Sequence, residues 1–317
     1  MNFKKTFSLL LFLIGVVPLT LAAASLAWSP VWAESRAAAF GCSGFYHAPD
    51  GTLRGGLNGL VRINADGSLT LGARPIDAPT KANSLPAFDV EEVVGGTFQM
   101  GAWGKTLDGA WDDEKPAHQV TVSTFWMGRF EVTQALWQAV MGNNPSNFKG
   151  DNLPVERVSW NDCQTFLQRL NNRKGELGLQ GSMYFDLPTE AEWEFAARGG
   201  RNSGNYKYSG SDNLDYVAWY DGNSGSRTHP VGQKAKNELG LYDMTGNVWE
   251  WCKDWFGSYP SYAQTNPTGP SSGSDRVNRG GSWGSSAQAG RVSCRGNYRA
   301  PDCRSNFLGL RLVLKFP

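Results

Sequence analysis

The chain has 317 residues, with 30 Lys and Arg against 29 Asp and Glu and a formal net charge of +1. That balance excludes the strong basic excess of a nucleic-acid binder. With 38 Gly and 13 Trp but only 3 His and 5 Cys, it reads as loop-rich and aromatic-rich, with little room for a multi-ligand metal cluster.

Residues 1–33 read as a signal peptide. Lys4 and Lys5 precede a run that is almost wholly apolar from Leu9 to Leu21, and Val31-Trp32-Ala33 supplies a small-x-small ending. Pro18 and Pro30 oppose a spanning helix. The expected product is exported, periplasmic or extracellular, with no stable membrane span after cleavage; an uncleaved anchor is the alternative. In an oxidising compartment the odd set Cys42, Cys163, Cys252, Cys294 and Cys303 leaves at least one thiol free or paired between chains. Cys294 and Cys303 are close enough in sequence to close a short loop.

Residues 34–88 differ in texture from the remainder of the chain. Leu57, Leu60, Val61, Ile63, Leu69 and Leu71 alternate with turn signals, Asn64-Ala65-Asp66-Gly67 being the clearest, before Pro75, Pro79 and Pro86. This is either a small β module with a linker or an arm on the main domain. Val90 to Val94 then predicts a strand stopped by Gly95-Gly96, and His118 to Val132 predicts a strand pair. Thr133 caps a helix over Gln134–Met141 that ends at Gly142. Ser159 and Asp162 form a capping box ahead of Cys163, Phe166, Leu167 and Leu170 at helical spacing. Thr189 and Glu192 repeat the box before Ala191–Arg198, with Gly199-Gly200 as the stop. Residues 201–317 show no comparable helix and one clear strand, Leu310–Leu314. The sum is an α+β fold with much irregular structure.

Gly95-Gly96-Thr97-Phe98-Gln99-Met100-Gly101, Pro188 to Glu194, Gly240-Leu241-Tyr242-Asp243-Met244 and Gly246-Asn247-Val248-Trp249-Glu250-Trp251 occur in order. Arg279-Gly280-Gly281-Ser282-Trp283 and Gly309-Leu310-Arg311-Leu312 complete a series that resembles the formylglycine-generating enzyme (sulfatase-modifying factor) domain over residues 89–317. The resemblance implies a C-type-lectin-like fold. In that family's enzymes a cysteine pair binds copper; counted onto this chain, the pair falls near Ser285 and Gly290. Neither supplies the soft thiolate that Cu(I) selects, so no copper site and no catalytic residue is expected. A second catalytic branch uses iron held by histidines, but His47, His118 and His229 are isolated.

Asp243, Gly246, Val248 and Glu250 match the family's calcium site, and two carboxylates with backbone carbonyls are ligands that Ca²⁺ accepts. The other reading makes Asp243 and Glu250 turn caps beside core tryptophans. Gly284, Ser285, Ser286, Cys294, Gly296, Asn297, Tyr298, Ala300, Cys303, Ser305, Asn306 and Phe307 lie among more regular family residues such as Arg291 and Arg295. This segment resembles the variable region of target proteins of diversity-generating retroelements, and every one of these residues belongs to the set such mutagenesis yields; ordinary divergence is the other origin. Either way they make an adaptable binding face for a protein or cell-surface ligand. The expected function is non-catalytic ligand binding. A periplasmic maturation enzyme and a structural envelope component are the alternatives.

Overall fold

Helices in this protein begin where a side-chain oxygen can hold the first free amides. The computed structural model describes residues 46–47, 53–55, 60–64, 66, 68–73, 84–296 and 299–316; the segment read as a signal peptide lies outside them. Thr133 opens α1 (Gln134–Met141) by accepting from the Leu136 amide, and Gly142 closes it at φ 82°. Ser159 and Asp162 bond reciprocally at the start of α2 (Trp160–Asn172), as do Thr189 and Glu192 for α3 (Glu190–Ala197). The expected stripe of Cys163, Phe166, Leu167 and Leu170 is buried, and Phe166 stacks on Trp137 of α1 at 4.9 Å. After α3 only a single turn, α4 (Leu214–Val217), is α-helical among the described residues.

The early strands are β1 (Tyr46–His47), β2 (Leu53–Gly55), β3 (Val61–Ile63), β4 (Leu69–Leu71) and β5 (Phe88–Val93). Next come β6 (Gly96–Met100), β7 (His118–Val122), β8 (Phe125–Gly128) and β9 (Tyr184–Asp186). The later ones are β10 (Trp249–Trp255), β11 (Gln264–Thr265), β12 (Arg276–Arg279), β13 (Leu308–Gly309) and β14 (Val313–Lys315). An 8-stranded antiparallel sheet runs β1-β2-β3-β4-β5-β8-β14-β9; two 3-stranded sheets run β12-β10-β13 and β11-β7-β6.

Between the module and the arm that residues 34–88 left open, the described part extends the main sheet. Leu69, Thr70 and Leu71 of β4 pair with Val90, Asp89 and Phe88 of β5. Val61, Ile63, Leu69 and Leu71 join one core with Trp126, Phe185 and Leu314.

The strand expected at Leu310–Leu314 is split. β13 runs parallel to β10, the chain then crosses at Leu310-Arg311-Leu312, and β14 inserts antiparallel between β8 and β9. At the crossing the buried Arg311 donates to both oxygens of Glu250 on β10 and to the Gly128 carbonyl on β8. One guanidinium thus fastens two sheets. Three strands in the supposedly irregular half, β10, β11 and β12, are additions that the sequence did not announce.

Candidate functional site

The 284–307 segment hangs from buried arginines. Arg291 lies flat on Glu114, with Nη2 2.6 Å from Oε1, while the Ser293 hydroxyl donates to Oε2 at 2.6 Å. Burial pulls the Glu114 carboxyl upward, but the hydrogen bonds from Arg291 and Ser293 outweigh it and hold the group below the usual range. Arg279 pairs with Glu194 and donates to the carbonyls of Val292, Ser293 and Cys294. These bonds fix the backbone from which the loops project. Gln288 and Arg291 also donate to the Gly109 carbonyl, which ties the 101–117 loop to the same face.

On that frame the expected face divides. Gly284, Ser286 and Ala300 are exposed, and Ser285, Cys303, Ser305, Asn306 and Phe307 are half-buried. Cys294 and Gly296 are corrections: both are buried and neither can be displayed. Burial pushes the Cys294 thiol up to about 12, which leaves it unreactive at neutral pH. A Cβ on Gly296 would sit 1.8 Å from Asn278 Oδ1, so packing selects glycine there. Cys294 and Cys303 are both free thiols rather than a bridge. Asn297 and Tyr298 lie outside the described residues.

Ser285, Ser305 and Phe307 line a cleft of about 150 Å³ together with Trp111, Trp249 and Arg299. Phe307 stacks on Trp283 at 4.6 Å, and Trp283 Nε1 donates to the Asn306 carbonyl at 2.9 Å. Trp111, from the 101–117 loop, is 41 % exposed. Sequence reasoning missed Trp111 because only the fold brings it to the face. Ser285 shares a hydrogen bond with Ser282 at 2.9 Å, and a Cβ on Gly290 would already meet Thr245 at 3.0 Å. A side chain at Gly290 would require Thr245 and Leu214 to give by a few tenths of an ångström.

Of the four residues matched to a calcium site, Asp243 and Glu250 lie close enough to feel one another's charge, and Glu131 lies close to both. Asp243 Oδ2 accepts the Gly232 amide at 2.7 Å, while its buried Oδ1 has no partner among the described residues. Gly246 has φ 86°, and a Cβ there would meet the Trp219 carbonyl at 2.3 Å. The Val248 amide donates to Glu131, whose carboxyl is raised well above the usual range by burial and by Asp243 and Glu250. Burial likewise pushes Asp243 up to about 6. The Asp243 end fits a hard cation, since it offers a free buried oxygen in a carboxylate-rich place. The Glu250 end is already engaged by Arg311 and by Trp193 Nε1 at 2.7 Å. Among the described residues no group of three or more His, Cys, Asp or Glu is arranged to hold a metal. His229 stacks on Trp219 at 3.7 Å, and His118 lies tilted against Tyr259 at 5.0 Å.

Comparison with known proteins agrees with this geometry. The family described as "Sulfatase-modifying factor enzyme 1-like domain" matches residues 76–316. The "Chaperone protein LppX" of Paenibacillus barcinonensis is 36 % identical over 277 residues, covering 74 % of this chain and 92 % of its own. The formylglycine-generating enzyme of Mus musculus is 30 % identical over 316 residues, covering 78 % of each chain. Among solved structures, Treponema denticola variable protein 1 superposes with a TM-score of 0.64 at 34 % identity, over 76 % of this chain and 99 % of that one. No helix among the described residues is long and apolar enough to cross a membrane. The chain belongs to the sulfatase-modifying factor, or formylglycine-generating enzyme, family and has that family's α+β, C-type-lectin-like fold.

Proposed function

We propose that this is an exported, non-catalytic binding protein that holds a protein or cell-surface partner on the 284–307 face. One observation carries the reading: of the two positions that the resemblance gives to a copper-binding thiol pair, Ser285 lines an aromatic cleft with Trp111 and Phe307, and Gly290 is buried and has no side chain. Aromatic side chains give contact area with few rotors to freeze, and the surrounding Ser and Asn give adaptable hydrogen bonds. The similarity to a chaperone and to a variable protein supports a polypeptide ligand and a face open to diversification.

A photo-crosslinker placed at Ser286 or Ala300 should capture a partner from the cell envelope, and one at the exposed Gln168 of α2 should not. Capture should fall in Trp111→Ala and Phe307→Ala. Equal capture from both faces overturns the reading, as does copper-dependent oxygen consumption by the purified protein.

Calcium would be held at Asp243 with the carbonyls of Gly246 and Val248 and would brace the loop without taking part in chemistry. The free Asp243 oxygen supports this. Chelation should lower the melting temperature of the protein and leave Asp243→Ala unchanged.

A further inference from the structure

A second cleft, of about 430 Å³, shares no lining residue with the first. It lies between the start of α3, the end of β10 and the 257–270 loop. Its charged floor is satisfied except at one point. Glu190 accepts Arg295 Nε at 2.7 Å and Nη2 at 2.9 Å, and also the Tyr259 hydroxyl at 3.0 Å. Arg295 directs Nη1 to the carbonyls of Asp113 and Gly257.

Asp254 is the exception. Its side chain is nearly buried, its Oδ2 accepts the Glu190 amide at 3.0 Å, and its Oδ1 has no hydrogen-bond partner among the described residues. Beside it, His118 reaches the Pro116 carbonyl through Nδ1 at 3.2 Å. Arg295, the one guanidinium lining the cleft among the described residues, is already paired with Glu190. A donor-bearing cation finds there the free Asp254 oxygen and an aromatic wall that includes the exposed Tyr262.

We propose that this cleft is a second ligand site, separate from the cleft of Trp111 and Phe307, that takes a protonated alkyl amine with its ammonium against Asp254 and its chain along the aromatic wall. Burial, and after it the charge of Glu190, push the Asp254 carboxyl up to about 8, so it carries a proton at neutral pH. Glu192 adds to that push, while Lys315 of β14 opposes it. Arg276 of β12 also feels Asp254 but is held between the rings of Trp160 and Trp255. Arg295 is neutralised by Glu190. Binding a cation therefore expels a proton, and affinity rises as pH approaches 8, by about tenfold per unit.

Isothermal titration calorimetry of the full protein at pH 6, 7 and 8 tests this, with n-butylammonium, N-acetyl-lysine amide and, as the uncharged counterpart, 1-pentanol. The amines should bind, about tenfold more tightly at pH 7 than at pH 6, with heats that vary with the buffer's ionisation enthalpy. Butylammonium alone would identify a free amine as the source, and the lysine amide a polypeptide side chain. Asp254→Asn should weaken binding by about tenfold or more and remove the pH dependence. Tyr262→Ala, an exposed position, should weaken it by a few-fold with an unchanged melting curve, and it decides the matter if Asp254→Asn does not fold. Absence of amine binding, equal binding of pentanol, or full amine affinity in a folded Asp254→Asn protein overturns the proposal.

Discussion

Two kinds of position alternate along residues 279–311. Arg279, Arg291, Arg295 and Arg311 are at most 2 % exposed and meet the buried Glu194, Glu114, Glu190 and Glu250. Gly284, Ser286 and Ala300, on the same stretch, are exposed to solvent. The anchors are paired with residues far away in the chain, so the fold of the segment is set by contacts that the displayed residues do not share. A buried ion pair is costly to form but more costly to leave half-made. Anchors are therefore locked while the surface between them is free to change.

The sharpest way to break that contrast is Arg291→Ala, which strands Glu114 in the core. Urea denaturation should show a loss of about 3–5 kcal/mol. Because Glu114 is held below its ordinary 4.5, its contribution is present above that pH and lost as pH falls through the folded value. The gap between the native and variant proteins should accordingly shrink in acid.

Cysteine offers a finer test within the face read from the sequence. Cys294→Ser leaves a buried hydroxyl poorly satisfied and should cost about 1–3 kcal/mol. Cys303→Ser should stay within about 0.5 kcal/mol. A thiol reagent applied to the folded protein should label Cys303 and spare Cys294.

The smallest effect belongs to the displayed positions. Ser286→Asn and Ala300→Tyr should each change stability by less than about 0.5 kcal/mol while altering partner capture. A large loss of stability in either would mean that the face is scaffold after all.

The same contrast decides how much could be read from the sequence. Capping residues act within four positions of their targets, so Thr133, Ser159 and Thr189 marked the three main helix starts. β10 was hidden because its burial does not alternate. Glu250, Trp251 and Cys252 are buried in succession and Asp254 is buried too, while Trp249 and Trp255 are only half-buried, so the polar-out pattern that identifies a strand is missing. Its satisfying partners, Arg311 and the Glu190 amide, lie 61 and 64 residues away, beyond any local window. Glu131 escaped for a related reason: a single acid between Phe130 and Val132 carries no signal until Asn247 and Val248 arrive to hold it. On the face, small residue types alone could not separate an exposed Gly284 from a Gly296 wedged against Asn278.

The insertion of β14 has a consequence in time. β8 and β9 are separated by more than fifty residues, yet neither pairs with the other; each pairs with β14, which comes after both. A chain threading out of a narrow channel N-terminus first must keep those two edges apart until residues 313–315 emerge. β8 and β9 are thus joined only through β14, a non-local step of the kind that slows folding.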